Sequence, residues 1–185
     1  MRELVFCLEE ASARRFLEGV VSRVNQQNVP VRYIVFEGKQ DLEGSLERRI
    51  KGYRNPDAIF IIMRDQDGAP DCKVIKQKLK KICVKAGRSE AVVRIACREL
   101  EAFYWGDLAA VERALGVSGL RKLSTKAQFR DSDSIVNPAR ELNTATKGLY
   151  QKVLGSEMIG REISVDHCTS RSFQALRDSV LAVIG

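Results

Sequence analysis

Residues 58–63 read AIFIIM, an unbroken apolar run, and residues 64–67 continue directly as RDQD. A short apolar run without polar alternation, rich in β-branched and aromatic residues, predicts a strand buried on both faces. Strands of that kind lie at the centre of parallel sheets, whose crossover connections are usually helices. The run therefore predicts an α/β fold and places two aspartates at the end of a central strand.

Strand-like and helix-like segments alternate on both sides of this run. The further strands are predicted at residues 4–8, 31–36 and 92–96, and the helices at residues 16–24, 42–53, 71–82 and 98–115. This alternation is typical of right-handed βαβ units, so we expect a Rossmann-like, mostly parallel sheet flanked by helices. Residues 116–138 lack a clear period, and two helices at residues 139–154 and 172–184 are expected to finish the chain.

The length of 185 residues fits one domain with a helical C-terminal extension. We divide the chain into an α/β domain at residues 1–115 and an irregular and helical part at residues 116–185, packed on the same domain. No apolar run approaches the roughly 20 residues of a membrane helix, and residues 4–8 are too short for a signal peptide. The five cysteines are scattered without a Cys-x-x-Cys pair. We therefore expect a cytoplasmic protein with free thiols and without a membrane partner.

Charge favours a polyanionic partner. The net charge is +7, which makes nucleic acid a natural candidate. Aromatic residues make up only 6% of the chain, and no base-stacking platform is recognisable in the sequence. The candidate backbone-binding residues are Lys122, Lys126, Arg130, Arg140 and Lys147.

Acidic side chains follow three of the predicted strands. They are Glu9 and Glu10, Asp65 and Asp67, and Glu99 and Glu101. Because parallel strands end at one edge of a sheet, these side chains are expected to converge there, where ligands of open α/β sheets bind. Crowded carboxylates repel one another unless a cation is present, and oxygen ligands suit Mg²⁺ or Mn²⁺. Taken singly, each acid has a simpler interpretation as a turn or capping residue.

Two of these segments resemble a known pattern. Residues 8–13, LEEASA, and residues 62–67, IMRDQD, resemble the first-strand glutamate and the later Asp-x-Asp of Toprim domains. More narrowly, the chain is similar to domain-of-unknown-function family 4276. That similarity is carried by VFEGKQD at 35–41, by DQD at 65–67 with DC at 71–72, and by RIACRELEAF at 94–103. It extends over most of the chain.

The resemblance implies a Toprim-like fold related to the nuclease domain of overcoming-lysogenization-defect proteins. It also implies Mg²⁺- or Mn²⁺-dependent hydrolysis of a phosphodiester in DNA or RNA. Glu9 would be a metal ligand or general base, and Asp65 and Asp67 would be metal ligands. Lys39, at the start of a predicted helix, would contact phosphate or neutralise the developing charge. In addition to Lys39, Arg140 and Lys147 are candidate substrate-binding residues.

A later acid assists a second metal in the related nucleases. In a helix Glu99 and Glu101 lie about 200° apart, so only one of them is expected to face the site. Glu101 is favoured because Glu-Ala-aromatic follows the family pattern. Glu10 stands where Toprim domains have glycine, and Ala13 where many have aspartate. Glu10 is therefore a candidate replacement ligand.

Other interpretations stay open at this point. The resemblance implies an ATPase partner of the ABC or SMC-like AAA type and a role in phage defence, and a homodimer is compatible with the sequence. The domain could instead be a non-catalytic binding or regulatory module for a partner ATPase or nucleic acid, which the absence of an acid at Ala13 favours. A phospho-acceptor receiver domain, with Glu9 and Glu10 near Asp65, is a weaker alternative.

Overall fold

The computed structural model describes residues 1–184, and its first half alternates strands with helices. The elements are β1 Glu3–Leu8, α1 Ala11–Val24, β2 Val31–Val35, α2 Lys39–Lys51, β3 Ala58–Asp65, α3 Cys72–Lys85 and β4 Val92–Ala96. All strand pairs are parallel, and the strand order is β2-β1-β3-β4. The predicted α/β class, with a parallel sheet flanked by helices, is confirmed.

The two central strands, β1 and β3, are buried on both faces. Alternate residues contribute to two separate cores, because side chains of a strand point to opposite sides. Phe6 and Ile61 belong to the core shared with α1 and the C-terminal helices. Cys7 and Phe60 belong to the core shared with α2 and α3. This double burial explains why the run at residues 58–63 contains no polar residue.

The chain after β4 is helical. Its helices are α4 Glu101–Trp105, α5 Leu108–Leu115, α6 Pro138–Ala145, α7 Lys152–Glu162 and α8 Arg171–Ile184, with 3₁₀ turns at Arg121–Thr125, Ala127–Phe129 and Ser132–Ser134. They complete the core on one face of the sheet, which includes buried residues from Leu4 to Ile184. The boundary proposed between residues 115 and 116 stays a prediction. None of the helices in residues 1–184 has the length and apolar character needed to cross a membrane.

Two helix predictions in this half are wrong. The helix predicted at residues 98–115 is broken, because the Asp107 carboxylate accepts a hydrogen bond from the Ala110 amide (3.0 Å) and starts α5. The helix predicted at residues 139–154 ends at Ala145, because Lys147 and Gly148 adopt left-handed φ angles of 53° and 80°. A separate helix, α7, then begins at Lys152. No apolar periodicity in the sequence predicts this start.

The contact between α1 and α7 is exceptionally close. A Cβ atom at Gly19 would lie 2.6 Å from the backbone carbon of Gly160. A Cβ atom at Gly160 would overlap the carbonyl oxygen of Phe16. The two helix backbones therefore touch, and glycine is required at both positions.

Gly160→Ala is expected to destabilise the protein by about 1–3 kcal/mol, because the added methyl group forces α7 away from α1. Gly44→Ala on α2 is the matched control. A Cβ atom at Gly44 meets nothing within 4 Å, so alanine should be neutral or stabilise the helix by up to about 1 kcal/mol. Denaturant unfolding of both variants measures the difference. Equal stability of Gly160→Ala and wild type would contradict the close contact.

Candidate functional site

Carboxylates from three segments meet at the C-terminal edge of the sheet. Glu9 and Glu10 follow β1, Asp65 ends β3, and Glu101 begins α4. Burial raises the pKa of Asp65 well above its usual range, and the charges of Glu101, Glu9 and Glu10 add to that rise. A cavity of about 10 Å³, with Glu9, Glu10 and Asp65 in its wall, lies here. It has room for about one water molecule or ion.

Glu9 is tied directly to the end of β3. The residue is only 8% exposed. Its Oε2 accepts a hydrogen bond from the Asp65 amide (3.2 Å) and lies 3.7 Å from Nε of Arg64. Burial raises the pKa of Glu9, the Asp65 amide opposes this rise, and the charge of Asp67 contributes to it. Glu9 is therefore a carboxyl group that holds a proton more readily than an exposed glutamate.

Asp67 lies in a different environment from Asp65. In an extended segment Asp65 and Asp67, two positions apart, would point the same way. The strand stops at Asp65, however, and Asp67 has a left-handed φ of 54°. The amide of Asp67 donates to the carbonyl of Arg98 (2.7 Å), which fixes this turn against the neighbouring loop. Its carboxylate lies 3.0 Å from Nζ of Lys39 and 3.8 Å from Arg64. Asp67 and the half-exposed Lys39 thus form the outer rim of the site.

Glu101 is 1% exposed and is held by a tyrosine. Its Oε1 accepts a hydrogen bond from the Tyr150 hydroxyl (2.7 Å). Its Oε2 is buried and has no hydrogen-bond partner within residues 1–184. Burial raises the pKa of Glu101, and the Tyr150 bond opposes that rise. Glu99, in contrast, caps α6 by accepting from the Ala139 amide (2.9 Å), so Glu101 is the acid that faces Asp65.

Two cations of the chain itself enter the acidic cluster. Arg64 is buried and forms an ion pair with Glu43 on α2, besides its contacts with Glu9 and Asp67. Lys152, the first residue of α7, forms an ion pair with Glu10.

The pKa of Lys152 is affected by several carboxylates of the acidic cluster. Burial lowers the pKa of its ammonium, but the hydrogen bond and charge of Glu10, together with the charges of Glu101 and Asp65, outweigh burial and raise it. Lys152 is therefore held in its charged form by three carboxylates from different segments.

Sequence reasoning missed Arg64, Tyr150 and Lys152. Arg64 stands inside the quoted RDQD segment but carries no separate motif. Tyr150 and Lys152 follow a helix end that no sequence pattern predicts. Tyr150 lies 49 residues from Glu101, and Lys152 is still farther along the chain from its partner Glu10. Only the tertiary fold brings them to the sheet edge.

The donor set fits a hard divalent cation. All candidate ligands are carboxylate oxygens, which suit Mg²⁺ or Mn²⁺. The raised pKa values and the unpartnered Oε2 of Glu101 are features that a bound cation would relieve. Across the described part of the chain, however, no three His, Cys, Asp or Glu side chains are already arranged around a single ion position. The ligands would have to close around the ion on binding.

The remaining candidate residues lie at the surface. Arg140 on α6 and Lys147 after it are exposed, as are Lys122, Lys126 and Arg130. Within residues 1–184 neither Arg140 nor Lys147 lies within ion-pair distance of the acidic cluster, unlike Lys39. Their role in binding substrate stays a prediction.

Metal-free protein is expected to lose stability as the pH rises from about 4 towards 8. The pKa values of Asp65, Glu9 and Glu101 are raised in the folded state, so that state holds more protons than the unfolded chain. Their stabilising contribution is complete below the unfolded pKa and disappears as the pH passes the raised values. Asp65→Asn should therefore flatten the pH profile of thermal stability in EDTA and exceed wild type at pH 8.

The exposed Asp166 provides the control. Asp166→Asn should follow the wild-type pH profile of thermal stability, because the carboxylate that it removes is exposed to solvent. Identical profiles for Asp65→Asn and wild type would contradict the crowding of carboxylates at this edge.

Comparison with known proteins agrees with this architecture. No curated protein matches the chain. Its fold is similar to the C-terminal region of the Burkholderia pseudomallei OLD protein, with a TM-score of 0.53, 13% identity, and coverage of 96% of this chain and 98% of that one. The family model described as "Domain of unknown function (DUF4276)" matches residues 8–181. Since this match spans nearly the whole chain, the protein belongs to the DUF4276 family.

Proposed function

We propose that this protein is a Mg²⁺- or Mn²⁺-dependent nuclease that hydrolyses phosphodiester bonds of DNA or RNA. The observation that carries the proposal is the group formed by buried Glu9, half-buried Asp65 and buried Glu101. The charges of Glu101 and Glu9 raise the pKa of Asp65 further after burial, and Glu101 Oε2 has no partner among the described residues. The likeness to the OLD C-terminal region supports the proposal only through the shared fold. The sequence resemblance to nucleases of the overcoming-lysogenization-defect type supports the chemistry.

Glu9, Asp65, Asp67 and Glu101 would hold the metal. A divalent ion in such a site supplies an activated water and charge stabilisation at the leaving oxygen. Glu10 and Asp67 are less available ligands than Asp65. Lys152 engages the Glu10 carboxylate, which also accepts from the Ser12 hydroxyl (3.2 Å), and Lys39 engages the Asp67 carboxylate (3.0 Å).

The chain's own residues would supply the other steps. Glu9 would be either a metal ligand or, in place of that role, the general base that accepts a proton from the attacking water. Lys39 is half-exposed at the rim and would bind a phosphate oxygen of the substrate. Arg64 would keep Glu9 and Asp67 in position from the buried side of the site.

The first test is calorimetric titration of Mn²⁺ and Mg²⁺, followed by cleavage assays on DNA and RNA. Wild type should bind metal saturably and cleave, and Asp65→Asn/Asp67→Asn should lose both properties. Asp166→Asn is the control that should retain both. Metal binding without cleavage of any nucleic acid would contradict the nuclease but leave the metal site.

Tyr150 is proposed to position Glu101 for metal binding. Tyr150→Phe removes the hydroxyl that fixes Oε1 of Glu101, and we expect Mn²⁺ affinity to fall about 10-fold or more, as for other groups that orient metal ligands. The matched control is Tyr104→Phe. The Tyr104 hydroxyl is also buried but donates to Ser156 (2.8 Å).

Both tyrosine variants should lose about 1 kcal/mol of stability through a lost hydrogen bond. Only Tyr150→Phe should change metal affinity. Equal Mn²⁺ affinities for the two variants would contradict the positioning role and leave Tyr150 as a core residue.

One observation favours a second candidate function. Arg64 and Lys152 already neutralise several of the carboxylates, as they would in a site that never takes up metal. The protein would then be a non-catalytic binding or regulatory module for a partner ATPase or for nucleic acid. Absence of metal binding at millimolar concentrations, with retained binding of nucleic acid, would support this candidate. A partnership with an ATPase and a role in phage defence remain proposals that rest on the sequence resemblance.

A further inference from the structure

Four carboxylates at and around the acidic edge of the sheet each form an ion pair with a cation of the chain. The four pairs are Glu9 with Arg64, Glu10 with Lys152, Glu43 with Lys78 and Asp67 with Lys39. Each of these lysines and the arginine carries a single positive charge, as each carboxylate carries a single negative one. The four acids together therefore add no net charge to the site.

Asp65 and Glu101 differ from these four acids. Within residues 1–184 neither of them forms an ion pair, whereas their four neighbours do. Glu101 is buried, and its Oε2 has no hydrogen-bond partner among the described residues. After burial, the charge of Glu101 contributes most to the raised pKa of Asp65, so the two carboxylates act on each other. When both are ionised, as metal binding requires, they leave two negative charges without a partner.

Glu99 is held away from this pair. Its Oε2 accepts a hydrogen bond from the Ala139 amide (2.9 Å) in the first turn of α6. The partial positive charge of a helix N-terminus stabilises a carboxylate at that place. Among the acids that meet at the site, the uncompensated charge is therefore that of Asp65 and Glu101, and it equals the charge of one divalent ion.

Lys152 places a positive charge among the same carboxylates. Its ammonium forms an ion pair with Glu10, which lines the small cavity at the sheet edge together with Asp65. Its carbonyl oxygen lies 3.5 Å from the hydroxyl of Tyr150, the same hydroxyl that donates to Glu101. The charges of Glu10, Glu101 and Asp65 all act on its ammonium. Lys152 is therefore a resident cation of the site.

We propose that the site takes up one divalent cation, whose charge Asp65 and Glu101 balance, and that the Lys152 ammonium occupies the place of a second one. The cavity supports this count, because a volume of about 10 Å³ leaves room for about one ion. A second divalent ion beside Glu10 would meet the ammonium, and like charges at short distance repel strongly in a buried site. The inference rests on the proposed metal-dependent enzyme, since it fixes the number of metal ions that this enzyme uses.

The experiment counts the Mn²⁺ ions bound per chain, by calorimetric titration at a protein concentration well above the dissociation constant. Wild type should bind one ion. Lys152→Met removes the ammonium and leaves Glu10 uncompensated. This variant should bind the first ion about 10-fold more tightly or better, because a nearby positive charge is gone, and should take up a second, weaker ion. The signal of free Mn²⁺ in electron paramagnetic resonance gives an independent count.

Three further variants test whether charge is the cause. Lys152→Arg keeps the positive charge and should still bind one ion. Lys152→Met/Glu10→Gln removes both members of the ion pair, restores the charge balance, and should bind one ion with nearly wild-type affinity. Lys81→Met removes an exposed lysine of α3 and controls for the net charge of the protein, so it should bind Mn²⁺ as wild type does. Thermal unfolding verifies that each variant is folded, and Lys152→Gln replaces Lys152→Met if methionine impairs folding.

The outcomes separate this inference from the proposed nuclease. Two Mn²⁺ ions in wild type, or one ion of unchanged affinity in Lys152→Met, would overturn the inference and leave the nuclease intact. One ion in wild type and two in Lys152→Met, without cleavage of DNA or RNA by the wild type, would uphold the inference and reject the nuclease. Absence of Mn²⁺ binding by wild type would overturn both.

Discussion

The convergence of carboxylates from three segments at one edge of the sheet is the constraint on which the candidate site depends. β1 and β3 run parallel at the centre, so Glu9 and Asp65 emerge next to each other, and the Asp65 amide donates to the Glu9 carboxylate. Glu101 is added from the start of α4. Burial makes each of the three acids more costly to ionise, and at Asp65 the charges of Glu101 and Glu9 add to that cost. The features around the edge, from Arg64 to Tyr150, are responses to that cost.

The side chains that contact these carboxylates come from both the α/β half and the C-terminal helices. The α2 and β3 segments supply Lys39, Glu43 and Arg64, which surround Glu9 and Asp67 with alternating charge. The C-terminal helices supply Tyr150 and Lys152, which contact Glu101 and Glu10. The C-terminal helices therefore contribute to the site directly, in addition to covering one face of the sheet.

Local patterns in the sequence were sufficient for the sheet and for the acids that its strands carry. The apolar run at residues 58–63 predicted a central parallel strand. The helical argument used to separate Glu99 from Glu101 does not apply, because α4 begins only at Glu101 and Glu99 lies in the bend before it. The break before Asp107 was not predictable, because it depends on a side-chain cap inside a continuous apolar pattern. Lys152 and Tyr150 were not predictable either, because their partners are distant in sequence and the intervening turn is set by backbone angles rather than by periodicity.

The glycine contact between α1 and α7 has a mechanical consequence. Glu10 directly precedes α1, and Lys152 begins α7, so these helices are joined by an ion pair at one place and by touching backbones at Gly19 and Gly160 at another. Two separate attachments suppress sliding and rotation of one helix relative to the other. A displacement of α7 would therefore be expected to move the N-terminus of α1, and with it Glu10 beside β1.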